Sequence, residues 1–453
     1  MVEAPPEPDP AAVMRERRFV GVLVLAAIVG VVASFAAWVF LDLIYQVQKF
    51  AYTSLPDDLG YDTVPEWWPL PWLALSGVLV ALAVTRLPGR GGHVPAGGLN
   101  ATPTPLRDLP GVLLAAIASI SLGAVIGPEA PLVALGAGIG YLALRWIRPG
   151  APPELTSLIG ACGTFAAFSF LFGSPIIAAV LLIEATGLGG KRLPLILIPG
   201  LLASGIGMLV SIGLGAWTGV DTSAISFQLL SLPDFARPDF VDFLWTIPFA
   251  AVIALVTVAI FRIARTTERI VDPKPLLYLP VIGLAIGGLA IAFSELADKG
   301  SNQVLFSGQD ALGPLVADAG SWSLSALALL IAFKGVAYAI SIGSFRGGPT
   351  FPAMFLGAAA GLMAAQLPGF DLTPAVAVGI GAASVAVLRL PLSSIVLAML
   401  LTSQAGFGAG PLVILGVVVA YLIANAMDPR EAPEPAPQAA AGTATPQAAP
   451  ARQ

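Results

Sequence analysis

Residues 126–131, Ile126-Gly127-Pro128-Glu129-Ala130-Pro131, place one carboxylate between two prolines in the middle of a long apolar region. Proline removes a backbone donor and clashes with the turn before it, so one helix must end here and another begin. Irregular backbone survives inside a membrane only where protein buries it or where it lines a polar cavity, and a charge at that depth marks a functional site. The stretch therefore predicts a broken-helix site at membrane depth, with Glu129 at a helix start.

The surroundings predict the membrane itself. Of the 453 residues, 57% are hydrophobic and 11% charged, with mean hydropathy +0.87, against roughly 45–50% apolar and about 25% charged in soluble domains. Uncharged runs at 19–41, 110–126, 155–183, 193–220, 243–261, 275–294, 347–370 and 390–427 include several beyond the ~18–20 residues that a spanning helix needs. The chain reads as an all-α, multi-pass protein of the cell membrane. Its membrane region is expected at 19–427, in halves at about 19–220 and 240–427. The flanking segments 1–18 and 428–453 are rich in Pro, Ala and acid, which predicts disorder.

Arg15, Arg17 and Arg18 precede the first apolar run, and basic residues recur at Arg86, Arg90, Arg107, Lys191, Arg192, Arg262, Arg265, Arg269 and Lys274. The positive-inside rule puts these segments and both termini in the cytoplasm. The first run is longer than the ~7–15-residue core of a signal peptide, so a retained helix is expected. Trp67, Trp68 and Trp72 suit a membrane interface. Cys162, the one cysteine, reads as a small packing residue. A net charge of -5 spread over tails and loops gives no nucleic-acid surface. With one histidine and no His/Cys cluster, no metal site and no cofactor are expected. Ser174 and Ser344 sit beside glycines but lack a partner set for hydrolysis, so the chain is not read as an enzyme.

An internal repeat organises the apolar region. Superposing Pro131 on Pro352 also aligns Leu135 with Leu356, Gly136 with Gly357 and Gly140 with Gly361. A second pairing sets Pro175 on Pro391 and Thr186 on Thr402. Helix breaks at matching places in two halves point to a central transport site. Half-helices starting at those breaks aim free backbone N–H groups and a positive dipole end toward the membrane centre, which is chemistry for an anion.

With these residues in view, the sequence resembles the CLC family of chloride channels and proton-coupled chloride exchangers, in the bacterial form without CBS domains. The GxEGP loop of that family appears as Gly127-Pro128-Glu129-Ala130-Pro131. Its GGxFxP loop appears as Gly347-Gly348-Pro349-Thr350-Phe351-Pro352, and its GSGIP loop as Gly91-Gly92-His93-Val94-Pro95. The resemblance implies an inverted repeat of about eighteen tilted, partly broken helices and a homodimer in the lipid bilayer, each subunit with its own anion path. It implies that Glu129 is the gating glutamate and that Gly92, His93, Pro128, Ala130, Gly348, Thr350 and Phe351 surround the anion.

Departures from the family pattern lie around the gate. The coordinating serine falls at Gly92, which has no hydroxyl, and His93 beside it is the candidate replacement. Pro349 lacks an N–H where the pattern supplies one, and the coordinating tyrosine of a final helix has no counterpart. The inner proton-transfer acid falls at Ala185. Glu184 next to it is the remaining candidate for a proton pathway, against a reading in which it pairs with Lys191 or Arg192. Arg346 and Lys334 are read as contributors of positive potential, and Arg389 as structural. The expected function is transport of chloride or a similar small inorganic anion, channel-like or weakly proton-coupled. The alternatives are proton/chloride antiport and selectivity for another anion such as fluoride or nitrate.

Overall fold

The computed structural model describes residues 14–98, 104–187, 193–218 and 230–428. The expected disordered tails lie outside these residues except for 14–18 and Asp428, and so do Lys191 and Arg192. The first helix begins at Arg17, slightly ahead of the expected membrane boundary.

Fifteen α-helices longer than a single turn make up the described residues, with no β-strand among them. They are α1 (Arg17–Lys49), α2 (Pro69–Arg86), α3 (Leu109–Ser121), α4 (Glu129–Ile147), α5 (Pro153–Phe172), α6 (Pro175–Thr186), α7 (Leu193–Thr218), α8 (Phe240–Val271), α9 (Pro275–Ala297), α10 (Gln309–Ala317), α11 (Leu324–Ile342), α12 (Thr350–Ala364), α13 (Leu372–Leu388), α14 (Pro391–Leu401) and α15 (Gly410–Met427). Among the described residues, nine spans are long and apolar enough to cross a membrane. Helices α3, α6, α12, α13 and α14 are shorter apolar pieces, as breaks at membrane depth require. Proline sets several starts, at α2, α5, α6, α9 and α14, where its fixed φ suits the first turn and its missing N–H costs nothing.

The halves align in space as they do in sequence. Gly127 and Gly348 form an antiparallel bridge, with Gly127 N donating to Gly348 O at 2.7 Å and Gly348 N donating to Gly127 O at 2.6 Å. Such a reciprocal pair needs a local two-fold axis between the two residues, and these are equivalent positions of the repeat. The helix pairs behind the bridge match as well. Gly136 on α4 meets the backbone of Gly163 on α5, and Gly357 on α12 meets that of Gly379 on α13, each so closely that a Cβ would collide with a carbonyl. Small residues at these crossings let helix backbones approach in lipid, where packing replaces the hydrophobic drive.

The outer face of the bundle is apolar, with Val20, Val24 and Ile28 on α1 and Leu244 and Val252 on α8 exposed. That is the surface expected to meet acyl chains. Cys162 is buried and free. Trp68 is buried and its Nε1–H donates to Ala51 O at 2.8 Å, whereas Trp67 is exposed. Lys334 on α11 is fully buried, and its ammonium donates to the carbonyls of Gln303, Val304, Leu305 and Phe306 at 2.9–3.3 Å.

Candidate functional site

Pro128 is the N-cap residue of α4 and Glu129 its first residue. In α12 the equivalent places are taken by Pro349 and Thr350. Both helices carry a second proline, Pro131 and Pro352, within the first turn, where a helix has no intrahelical use for the N–H. The two helix starts face each other across the Gly127–Gly348 bridge.

The Glu129 side chain crosses that gap. It is 1% exposed, and its Oε1 accepts a hydrogen bond from Phe351 N at 2.8 Å. Oε2 has no hydrogen-bond partner among the described residues and lies against Gly127 and Gly348, where a Cβ on either glycine would overlap the carboxyl group. A carboxylate thus occupies the free N–H end of α12, the position in which a helix start favours an anion. Thr350 and Phe351 are buried at the same end, and Phe351 stacks on Phe172 with ring centroids 5.7 Å apart. Tyr338 Oη–H donates to the carbonyl of Pro349, which pins the turn before α12.

Two clefts flank the carboxylate. One is lined by Pro128 together with Tyr45, Gln48, Ser307 and Asp310. The other is lined by Ala130, Gly347 and Arg346 together with Gly92 and His93. The two neighbours of Glu129 in the chain, Pro128 and Ala130, thus line different clefts.

A family model described as voltage gated chloride channel matches residues 77–425, more than half of the chain. The chain belongs to the voltage-gated chloride channel family. Among its relatives, the "Putative ion-transport protein YfeO" of Escherichia coli (strain K12 / DH10B) is 29% identical over 345 residues, covering 75% of this chain and 77% of the relative. The same-named protein of Shigella boydii serotype 4 (strain Sb227) gives the same identity and coverage. Two solved structures share the fold. A CLC-type fluoride/proton antiporter has TM-score 0.69 at 21% identity, covering 90% of this chain and 96% of the other. A slow cyanobacterial Cl-/H+ antiporter has TM-score 0.70 at 21% identity, covering 90% and 95%. Membership in the voltage-gated chloride channel family makes this a multi-pass anion-transport protein and not an enzyme.

Of the residues singled out in the sequence, the structure brings Glu129, Gly348, Thr350 and Phe351 together at one point. Gly92 and His93 line the second cleft with Ala130, while Pro128 faces the first. His93 is exposed. Gly92 has φ +90, a conformation open to glycine and strained for a residue with a Cβ, which accounts locally for the lost serine.

Glu184 lies elsewhere in the network. Its carboxylate accepts from Leu392 N at 2.9 Å, Ser393 N at 2.7 Å and Ser393 Oγ at 2.6 Å, so it caps the start of α14 from the end of α6. The repeat pairs α6 with α14 through Pro175 and Pro391, yet no motif in the sequence marks the contact itself. Arg389 is structural as expected. It donates from Nη1 to Asn425 Oδ1 at 3.0 Å and pairs with Asp428 at 3.7 Å, while Arg265 holds the same Asp428 with two bonds of 3.0 and 2.8 Å.

Proposed function

We propose that the protein moves chloride or a similar small inorganic anion along a path gated by Glu129, in a channel-like or weakly proton-coupled manner. The observation that carries this reading is the bond from Phe351 N to Glu129 Oε1. A tethered carboxylate and a free halide compete for the same positive helix end. While Glu129 holds it the path is shut, and protonation or displacement of the side chain opens it. Gly348 and Thr350, with the helix-start backbone, are then the groups that receive the anion. Gly92, His93 and Ala130 line its approach from one side, and Pro128 its approach from the other.

Side chains set the coupling. Ala185 has no proton to pass. Glu184, the carboxylate beside it, has its oxygens engaged by three donors at α14, which favours capping over relay. A second reading is proton/anion antiport, with Glu184 as the inner acid. It is favoured by two structures of similar fold, one a fluoride/proton and one a Cl-/H+ antiporter. In either reading the protein works as a homodimer in the bilayer with both termini cytoplasmic, the side on which Arg90, Arg262, Arg265 and Arg389 gather around Asp272 and the end of α15.

Flux from liposomes under opposed proton and chloride gradients tests the reading. Chloride is expected to run down its gradient with little or no uphill proton movement, and Glu129→Gln to abolish the pH dependence of the flux. Tight uphill proton pumping would select antiport, and unchanged pH dependence in Glu129→Gln would remove Glu129 from the gate.

A further inference from the structure

Arg346 is a buried cation that the gate itself does not use. It lies immediately before Gly347 and Gly348 and is only 8% exposed. Its backbone N–H donates to Ser119 Oγ at 3.2 Å. Its Nη1 donates to the carbonyls of Ser344 at 2.9 Å and Phe345 at 3.3 Å, and Nε reaches Arg90 O at 3.5 Å. Nη2 has no hydrogen-bond partner, and no carboxylate comes within ion-pair distance of the guanidinium, among the described residues. The side chain lines the same cleft as Gly92, His93, Thr104, Ala130 and Gly347.

A buried charge without a counter-charge is costly, and an anion beside it removes much of that cost. The acids that feel the Arg346 charge are Glu268 and Asp272 on and just after α8. Asp272 is exposed and already paired with Arg90 at 2.9 Å, and Glu268 is part-exposed on the same helix end. Water and salt screen charges placed like these, whereas the guanidinium is enclosed. His93, the other titratable group on the cleft, is exposed.

We propose that Arg346 holds a small monatomic anion at Nη2, in the cytoplasm-side cleft, as a fixed-charge station that supplies anions to the Glu129 gate. This rests on the anion-transport reading above and adds to it a residue that sets inner-side affinity. Three of the guanidinium's contacts tie Nη1 and Nε to carbonyls, so the planar fork that grips a carboxylate or nitrate with two parallel bonds is not free. What remains is one nitrogen and a point-like charge, which suits a halide. The station carries positive charge whatever the state of Glu129, and it stands where Gly92 offers no hydroxyl ligand.

Two measurements test it. In proteoliposomes, Arg346→Met is expected to raise the half-saturating bromide concentration for flux about tenfold, the scale of one partly desolvated unit charge. Arg346→Lys should restore most of the loss, and both variants should keep the Glu129-dependent pH profile. In crystals of the unmodified protein grown in bromide, anomalous density is expected beside Nη2. An unchanged bromide dependence in Arg346→Met overturns the proposal while leaving the gate intact. So does bromide density at Phe351 N with none at Nη2, which decides the matter even if Arg346→Met fails to fold. Absence of anion flux from the unmodified protein would instead sink the transport reading on which the station rests.

Discussion

A Cβ placed on Gly348 would overlap Oε2 of Glu129. Gly348, together with Gly127, therefore makes room for the carboxylate at the start of α12. Gly348→Ala is expected to push the Glu129 side chain out of its seat without altering its chemistry. The anion flux of this variant should then lose pH dependence in the manner of Glu129→Gln. A Gly348→Ala protein with normal pH-dependent flux would show that the seat is not the closed state.

Gly136 gives the contrasting case. It meets the carbonyl of Gly163 at the α4–α5 crossing and touches nothing at the gate, with a Cβ lying 2.5 Å from that oxygen. Gly136→Ala should destabilise the fold by about 1–3 kcal/mol, as overpacking does. Thermal unfolding in detergent would show the loss, and the pH profile of surviving flux should be unchanged.

Glu184 caps α14 by accepting three hydrogen bonds, and removing its carboxylate leaves the donors at that helix start unpaired. Glu184→Ala should cost about 1–3 kcal/mol of stability, measurable in the same melt. Glu184→Gln keeps an acceptor and should recover part of it. Proton movement relative to chloride should be the same in both variants as in the unmodified protein. A loss of proton flux in Glu184→Gln would assign the relay to this residue.

Lys334 satisfies four carbonyls of residues 303–306 from the middle of α11, and its ammonium lies 4.5 Å from the Phe355 ring centroid. Lys334→Met removes the donors and strands those acceptors in an apolar setting, where each unsatisfied group costs about 1–3 kcal/mol. A drop of at least ~3 kcal/mol is expected. Phe306 N also bonds to Gly123 O at 3.3 Å, so protease cutting near residues 303–306 should rise in this variant.

Asp310 is exposed at the cleft on the Pro128 side, and the surrounding protein takes enough water from its carboxyl to raise it from 3.8 to about 6. The acid is harder to ionise in the folded state than in the unfolded one. Its ionisation therefore opposes folding above pH 6, and that opposition is relieved as pH falls from 6 toward 3.8. Asp310→Asn should melt higher than the unmodified protein at pH 7–8 and converge with it near pH 4. Parallel melting curves across that range would contradict the assignment.

The repeat was legible because it rests on local rules. Proline and glycine break helices wherever they stand, so the matches Pro131 with Pro352 and Pro175 with Pro391 carried over into paired helix starts. The place of Glu129 at a helix start was legible for the same reason, since Glu129 sits on its own break. Long-range partners were not. Nothing in the order of residues says that Glu184 reaches Leu392 and Ser393, that Lys334 turns back on 303–306, or that the Arg346 guanidinium ends in the Gly92–His93 cleft.

Glu129 and a halide are expected to compete for the N–H end of α12. Anomalous diffraction from crystals soaked in bromide, comparing the unmodified protein with Glu129→Gln, tests it most directly. A bromide peak is expected within hydrogen-bond distance of Phe351 N in Glu129→Gln, weaker or absent where the intact carboxylate holds the seat. No bromide at Phe351 N in the variant, or equal density in both proteins with Glu129 still in place, would contradict it.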